Sequence, residues 1–404
     1  MRYIADFHIH SKYSLSTSPQ STLENINHWA FIKGLNLVNA PDFTHPLWLS
    51  DMKEKLEAHK NGLYQLKENY GQSVWFLPVS EVSCIYHQNK RLRKVHLLIF
   101  MPDWTAVDEF NHRVGLRGAK LASNGRPVLK QSAKEILQTV KDISPDTLVV
   151  PAHAWTPWFS VFGACSGFDS LEECFEESAP DIRAIETGLS SDPAMNRRLS
   201  ALDDITLISN SDAHSPRLVG REANIFEIPQ DEISYREIIR IIREKDRNKF
   251  MATLEFFPQE GKYYYDGHRQ CGIKLPPHET RRQRGLCPKC HKLLTAGVLN
   301  RIDSLADRHP AYDDIPYKNI VGLDKIVAES LGFKNAGCKK VLDEYYKLIR
   351  QGGNEFHILL DSNLDELRRV TNPKIIEGIR RLREGNLLIE PGYDGVYGKV
   401  KLFD

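Results

Sequence analysis

Along the first part of the chain, short apolar runs alternate with longer amphipathic stretches. Strand-like runs fall at residues 2–9, 35–39, 74–80, 95–100, 147–152, 182–187, 205–209 and 224–228, and helical periodicity occupies 51–69, 132–141 and 233–246 between them. Strand followed by helix predicts an α/β barrel over residues 1 to about 250, a fold whose functional side chains come from the carboxyl ends of its strands. Farther on, amphipathic helices are predicted at 319–331 and 337–350, joined through Gly332 to Gly337. The chain therefore reads as an α/β barrel at 1–255, a small element at 256–300 and a mostly helical segment at 301–404.

The strand ends carry the chemistry. Tyr3 to Ser11 alternates as a strand, so His8 and His10 project from one face and can grip one cation. Glu81 follows Val74-Trp75-Phe76-Leu77, His153 follows Leu148-Val149-Val150, and Asp212 and His214 follow Ile205 to Ile208. Asp42, His45 and His96 complete the set, and Glu186 is placed at a strand end in the same way. A core has little reason to load its strand ends with unpaired imidazole and carboxylate, because burying them is costly. The pattern points to a metal-dependent hydrolase. His96 lies near the start of its run, which predicts an irregular hairpin there. Two basic segments, Lys90 to Lys94 and Arg113 to Lys130, read as long loops able to reach over a nucleic-acid backbone.

A second constellation pairs His268-x2-Cys271 with Cys287-x2-Cys290 across 15 residues, the spacing of a closed tetrahedral zinc site. His278 and His291 are alternatives to His268. The flanks, Arg281 to Gly285 and Pro288-Lys289, are polar and aperiodic, so one structural zinc would supply the fold of this element. The remaining cysteines, Cys84, Cys165, Cys174 and Cys338, are expected as small buried hydrophobes.

Net charge is +1 over 404 residues, but residues 262–404 hold 25 Lys and Arg against 19 Asp and Glu, a net of +6, leaving −5 for the rest. An acidic metal-binding part joined to a basic part suits a polyanionic substrate. Arg368-Arg369 and Arg380 to Arg383 concentrate the charge, and the glycine and tyrosine turn Pro391 to Lys399 offers stacking faces for an unpaired base. No apolar run is long enough to span a bilayer, and the first strand leaves no room for a cleaved signal. The expected location is cytoplasmic and nucleoid-associated, with no membrane partner.

The motifs Asp6-Phe7-His8-Ile9-His10, Asp42-Phe43-Thr44-His45, Glu81, His96, His153 and Ser211-Asp212-Ala213-His214, in this order, resemble the polymerase and histidinol phosphatase (PHP) metallohydrolase family over about the first 230 residues. The resemblance implies a distorted (β/α)7-type barrel. It implies that His8, His10, Glu81 and Asp212 form the catalytic set around one cation, that Glu81 bridges to a second held by His96 and His153, and that His45 and His214 lie near a third. Phe43 and Thr44 separate Asp42 from His45, which the family commonly has adjacent, so direct ligation by Asp42 stays open. Imidazole with carboxylate suits zinc, manganese or iron, whereas magnesium prefers oxygen, and zinc, manganese and magnesium all stay open as the native ion.

Over the whole chain, Asp6 to Ser14, Asp42 to Pro46, Glu186 to Pro193 and Tyr265 to Arg269 resemble the endonuclease Q family. That resemblance implies damaged DNA as partner and cleavage 5′ to a deaminated base or an abasic site. Ser166 and Gly167, in the loop Gly163 to Phe168, are candidates for a base pocket, and Tyr13 for a wedge beside the metals. A sliding clamp is a partner the sequence does not itself identify. The alternative is a PHP-type phosphomonoesterase acting on a small phosphorylated metabolite, which would not need the zinc-bearing basic extension. A non-catalytic DNA-binding subunit ranks last, since every ligand position is filled.

Overall fold

In the computed structural model, which describes residues 1–59, 61–72, 74–309 and 314–404, the alternation of the strands sorts their side chains between two cores. The strands that matter are β1 (Arg2–Asp6), β2 (Leu37–Ala40), β3 (Trp75–Gln88), β4 (Arg91–Phe100), β5 (Leu148–Pro151), β6 (Ala184–Glu186), β7 (Thr206–Ile208), β8 (Ala223–Glu227), β9 (Phe250–Glu255) and β10 (Tyr317–Asn319). In β4, Leu98 and Phe100 point to one core while Leu97 and Ile99 point to the other, and Tyr3 and Ala5 part from Ile4 in β1 in the same way. One core, between the strands, gathers Phe7, Leu37, Val79, Phe100, Val150 and Ile208. The other lies beneath the helices, where Leu23, Trp48, Phe110 and Ile136 cover the outer faces.

Parallel pairing joins β1 to β2 and β2 to β3, and antiparallel pairing carries the sheet on through β4 to β5. The pair β6 and β7 completes the ring: Ala154 N donates to Glu186 O at 2.9 Å at one seam, and His10 N donates to Ala213 O at 2.9 Å at the other. This is the distorted seven-stranded α/β barrel expected of a PHP-type domain. On the outside of β1, β8 and β9 extend the sheet, and β10 pairs with β9.

Three local expectations change. The region read as one helix at 51–69 is a helix at Pro46–Lys55 followed by paired strands Leu56–Ala58 and Tyr64–Leu66. The dipeptide Asn61-Gly62, with Gly62 at φ 74°, is the turn signal that outweighs the helical period. The hairpin holding His96 is regular, with an unbroken register from Val79↔Phe100 to Gln88↔Arg91. Because β4 runs antiparallel, its early residues lie where neighbouring strands finish, and no distortion is required. For the same reason Lys90 to Lys94 is a tight hairpin and strand start, with Arg93 buried over the Phe168 ring at 4.0 Å.

The helices Leu323–Ser330, Lys339–Gly352, Glu355–Leu360 and Pro373–Glu384 share a third core, to which Ile32 and Phe257 from the barrel part contribute. A buried ion pair crosses this junction: Lys33 Nζ lies 3.1 Å from Glu355, whose carboxylate also accepts from Tyr345 Oη at 2.7 Å and from Leu323 N at 3.0 Å. No helix among the described residues is long and apolar enough to cross a membrane.

Removing one member of a buried, bonded pair leaves the other charge stranded. Lys33→Met should lower unfolding free energy by about 3 kcal/mol in urea titration. A loss below about 1 kcal/mol would show that the junction does not depend on the pair.

Candidate metal centre

The candidate ligands arrive from three different strands at the same barrel mouth. His8 and His10 follow β1, Glu81 sits in β3 opposite Leu98, and Asp212 follows β7. His8 Nε2 lies 3.5 Å from both Glu81 Oε2 and Asp212 Oδ1, and His10 Nε2 lies 3.2 and 3.3 Å from the same oxygens. Donors about 2.1 Å from a shared tetrahedral ion stand about 3.4 Å apart, so these separations fit one cation. His8 Nε2, His10 Nε2 and Asp212 Oδ1 are also buried without a hydrogen-bond partner among the described residues, which a bound ion would cure. These residues can hold a divalent cation.

A second group shares Glu81 through its other oxygen. His96 Nδ1 and His153 Nε2 lie 2.5 and 3.0 Å from Glu81 Oε1, and 3.2 Å from each other. Burial would raise the Glu81 carboxyl, yet His96, Arg126 and His8 hold it well below the usual carboxylate range. Burial pushes His96 down to about 4 against the pull of Glu81.

Behind the ligands stands a layer that aims them. Glu186 accepts from His8 Nδ1 at 3.0 Å and from the His153 backbone N–H at 2.7 Å. Asp42 faces His10 Nδ1 at 3.0 Å and accepts from the Ser11 and Ser14 hydroxyls. Such partners fix the tautomer and orientation of a ligating histidine. Asp42, His153 and Asp212 hold positive φ of 51°, 31° and 46°, a strained region for side-chain-bearing residues. Gly188 makes room for one of them, since a Cβ there would lie 2.6 Å from His153 Cβ. Arg221 steadies another by donating to the carbonyls of Ser211 and Asp212 at 2.8 and 3.2 Å.

In the small element, His268, Cys271, Cys287 and Cys290 bring their ligand atoms within 4.8 Å of one another, with Cys290 Sγ 3.5 Å from His268 Nδ1. Neither His278 nor His291 joins them. Between this element and the barrel mouth opens a cavity of 650 Å³, whose floor includes His96, His153 and Asp212 and whose walls include Trp158, Phe159, Tyr263, Tyr264 and Tyr397.

A family model described as the MJ0043 C-terminal domain matches residues 322–386. Over 256 residues the chain is 32% identical to an uncharacterized protein, MJ0043, of Methanocaldococcus jannaschii, a match covering 61% of this chain and 31% of that protein, about a third of its length. The lesion-specific endonuclease PfuEndoQ from Pyrococcus furiosus superposes with a TM-score of 0.87 at 31% identity, over 99% of this chain and 95% of its own. A structure of Endonuclease Q with a 27-mer duplex carrying an abasic lesion at the active site gives 0.86 at 30% identity, over 100% and 97%. The chain belongs to the endonuclease Q family.

Within this endonuclease Q family member, the sequence-predicted residues separate into distinct places. His8, His10, Glu81, His96, His153 and Asp212 form the two linked groups, whereas His45 and His214 belong to neither. His45 stacks on Tyr13 at 4.2 Å, and His214 packs against His10 at 4.6 Å while donating from Nδ1 to Asp212 O. Ser166 is buried and bonds the backbone of Phe159 and Lys94, and Gly167 O accepts from Arg93, so both brace their loop and neither lines the cavity. Cys84 and Cys174 are buried as expected, but Cys165 is exposed. Sequence reasoning missed Arg126, whose Nη1 donates to Glu81 Oε2 at 2.8 Å, and the aromatic walls of the cavity. The run Trp155-Thr156-Pro157-Trp158-Phe159, beginning two residues after His153, was an available signal for Trp158 and Phe159. Arg126 had none beyond its place in a basic stretch.

Two outcomes test the ligand groups by elemental analysis. His8→Ala or Asp212→Ala should lose divalent metal from the barrel while the group of His268 and its three cysteines keeps about one zinc per chain. Cys290→Ser should lose that zinc and lower the melting temperature, leaving barrel metal in place. Unchanged metal content in these variants would remove the substituted residue from its group.

Proposed function

We propose that this chain is a DNA repair endonuclease that hydrolyses the phosphodiester on the 5′ side of a deaminated base, hypoxanthine, uracil or xanthine, or of an abasic site. The observation that carries the reading is that one cavity joins the ligand residues His96, His153 and Asp212 to an aromatic wall. A small phosphomonoester has no use for such a wall, whereas an unstacked base does: aromatic stacking contributes about 1–3 kcal/mol per base. Taking a base out of a duplex costs a few kcal/mol, least where pairing is already poor, so the site favours lesions before any specific contact is made. The family relationship supports the same reading.

Divalent cations, zinc, manganese or magnesium, would supply an activated water and neutralise charge developing on the phosphate and on the departing 3′ oxygen. The rest falls to the protein. Glu81 and Asp212 gather the donors at the barrel mouth, each carboxylate facing both His8 Nε2 and His10 Nε2. Glu186 and Asp42 hold His8 and His10 in orientation. Trp158, Tyr263 and Tyr397 line the cavity that would receive the nucleotide. The group of His268, Cys271, Cys287 and Cys290 would hold one structural zinc, its four ligands leaving no open position for chemistry. Lys and Arg of residues 262–404, net +6, provide phosphate contacts and a steep salt dependence of binding.

Labelled duplexes, each with one hypoxanthine, uracil or abasic site, should be cut on the 5′ side of the lesion with 3′-hydroxyl and 5′-phosphate ends when divalent metal is present. Undamaged duplex should stay intact. Efficient hydrolysis of histidinol phosphate with no cut in any damaged duplex would instead make the chain a phosphomonoesterase.

A further inference from the structure

Arg126 is a cation within the Glu81 cluster that belongs to neither ligand group. Its segment is pinned on several sides: Gly125 N donates to Tyr13 O at 3.0 Å, Thr44 Oγ1 to Gly125 O at 2.9 Å, and Ser83 N to Pro127 O at 3.0 Å. Position 125 demands glycine, because a Cβ there would lie 2.5 Å from both Asp42 Oδ2 and Ser14 Oγ. The backbone thus passes against the support of His10 and delivers the next side chain to the metal centre. That side chain keeps 24% exposure, and its Nη1 donates to Glu81 Oε2 at 2.8 Å. Glu81 Oε2 is the same oxygen that faces His8 Nε2 and His10 Nε2 in the first ligand group. A guanidinium and a divalent cation repel one another across so short a span, so sharing that oxygen weakens both.

We propose that Arg126 and a divalent cation are alternative partners of Glu81 Oε2, and that Arg126, once the cation holds that oxygen, binds a non-bridging oxygen of the scissile phosphate. The second half rests on the phosphodiesterase reading above, whereas the exchange at Glu81 does not. The planar fork suits the task, since guanidinium donors match phosphate oxygens in pairs and keep their charge at any working pH.

The test has two arms on the full-length protein and its Arg126→Met and Arg126→Lys variants. In the first, Mn2+ alone is titrated calorimetrically. The Met variant should bind on the order of tenfold more tightly than the parent, with Lys between, because a competitor for Glu81 has gone. In the second, cleavage of an abasic-site duplex is followed at saturating Mn2+. The Met variant should lose about 100-fold in kcat with little change in KM, and Lys should recover part of it. A residue that merely holds the site together would, on removal, weaken Mn2+ binding, so equal or weaker binding by the Met variant overturns the exchange. Normal cleavage by the Met variant overturns the phosphate contact. If Met fails to fold, the Lys variant decides both points in the same directions. A parent protein that cuts no damaged duplex fails the functional reading while the Mn2+ titration still decides the exchange.

Discussion

Glu81 is a carboxylate with no solvent exposure, set in the middle of a strand and facing four imidazoles and a guanidinium. Left alone, an ionised group so placed would cost several kcal/mol even after relaxation. The barrel mouth is arranged to prevent that. One oxygen of Glu81 meets His8, His10 and Arg126, the other His96 and His153, so a single side chain ties together β1, β3, β4 and the loops after β5 and before the helix Ala133–Lys141. Asp6 fastens the far side, accepting from the backbone of Ser211 and Gly220 at 3.0 and 2.8 Å and so holding the Asp212 loop against β1.

Strain at this rim follows from the same constraint. Three residues of the cluster sit at positive φ, each at an expense of order 1–3 kcal/mol, because ligands from separate strands must converge within one hydrogen-bond length. Glu186 at the β6 end, Gly188 beyond it and Arg221 before β8 absorb that strain by bonding or clearing the bent segments. The region after the barrel acts from above. Tyr263, Tyr264 and Tyr397 lean over ligands they do not touch in sequence, and Gly267 allows Tyr393 to pack close, since a Cβ there would lie 2.4 Å from its ring.

The strands and most of the residues that gather at the barrel mouth were readable because each is declared locally. Alternation exposes a strand, and imidazole or carboxylate at a strand end is conspicuous whatever its partners. His268, Cys271, Cys287 and Cys290 were legible for the same reason, through spacing alone. What failed depends on distant contacts. Arg126 looks like any basic loop residue until Gly125 is seen lodged against Asp42 and Ser14. Ser166 invited a role in binding but is consumed by its own loop. His96 seemed misplaced because the sequence does not reveal that β4 runs antiparallel. The helix expected at 51–69 was undone by Asn61-Gly62, a local signal that the periodicity masked.

Anomalous diffraction from crystals soaked in Mn2+ tests the role of Glu81 most directly. Two manganese peaks are expected on either side of its carboxylate, one among His8, His10 and Asp212 and one between His96 and His153. A single peak that leaves Glu81 outside its coordination sphere, or manganese bound elsewhere with the Glu81 groups empty, would contradict the account.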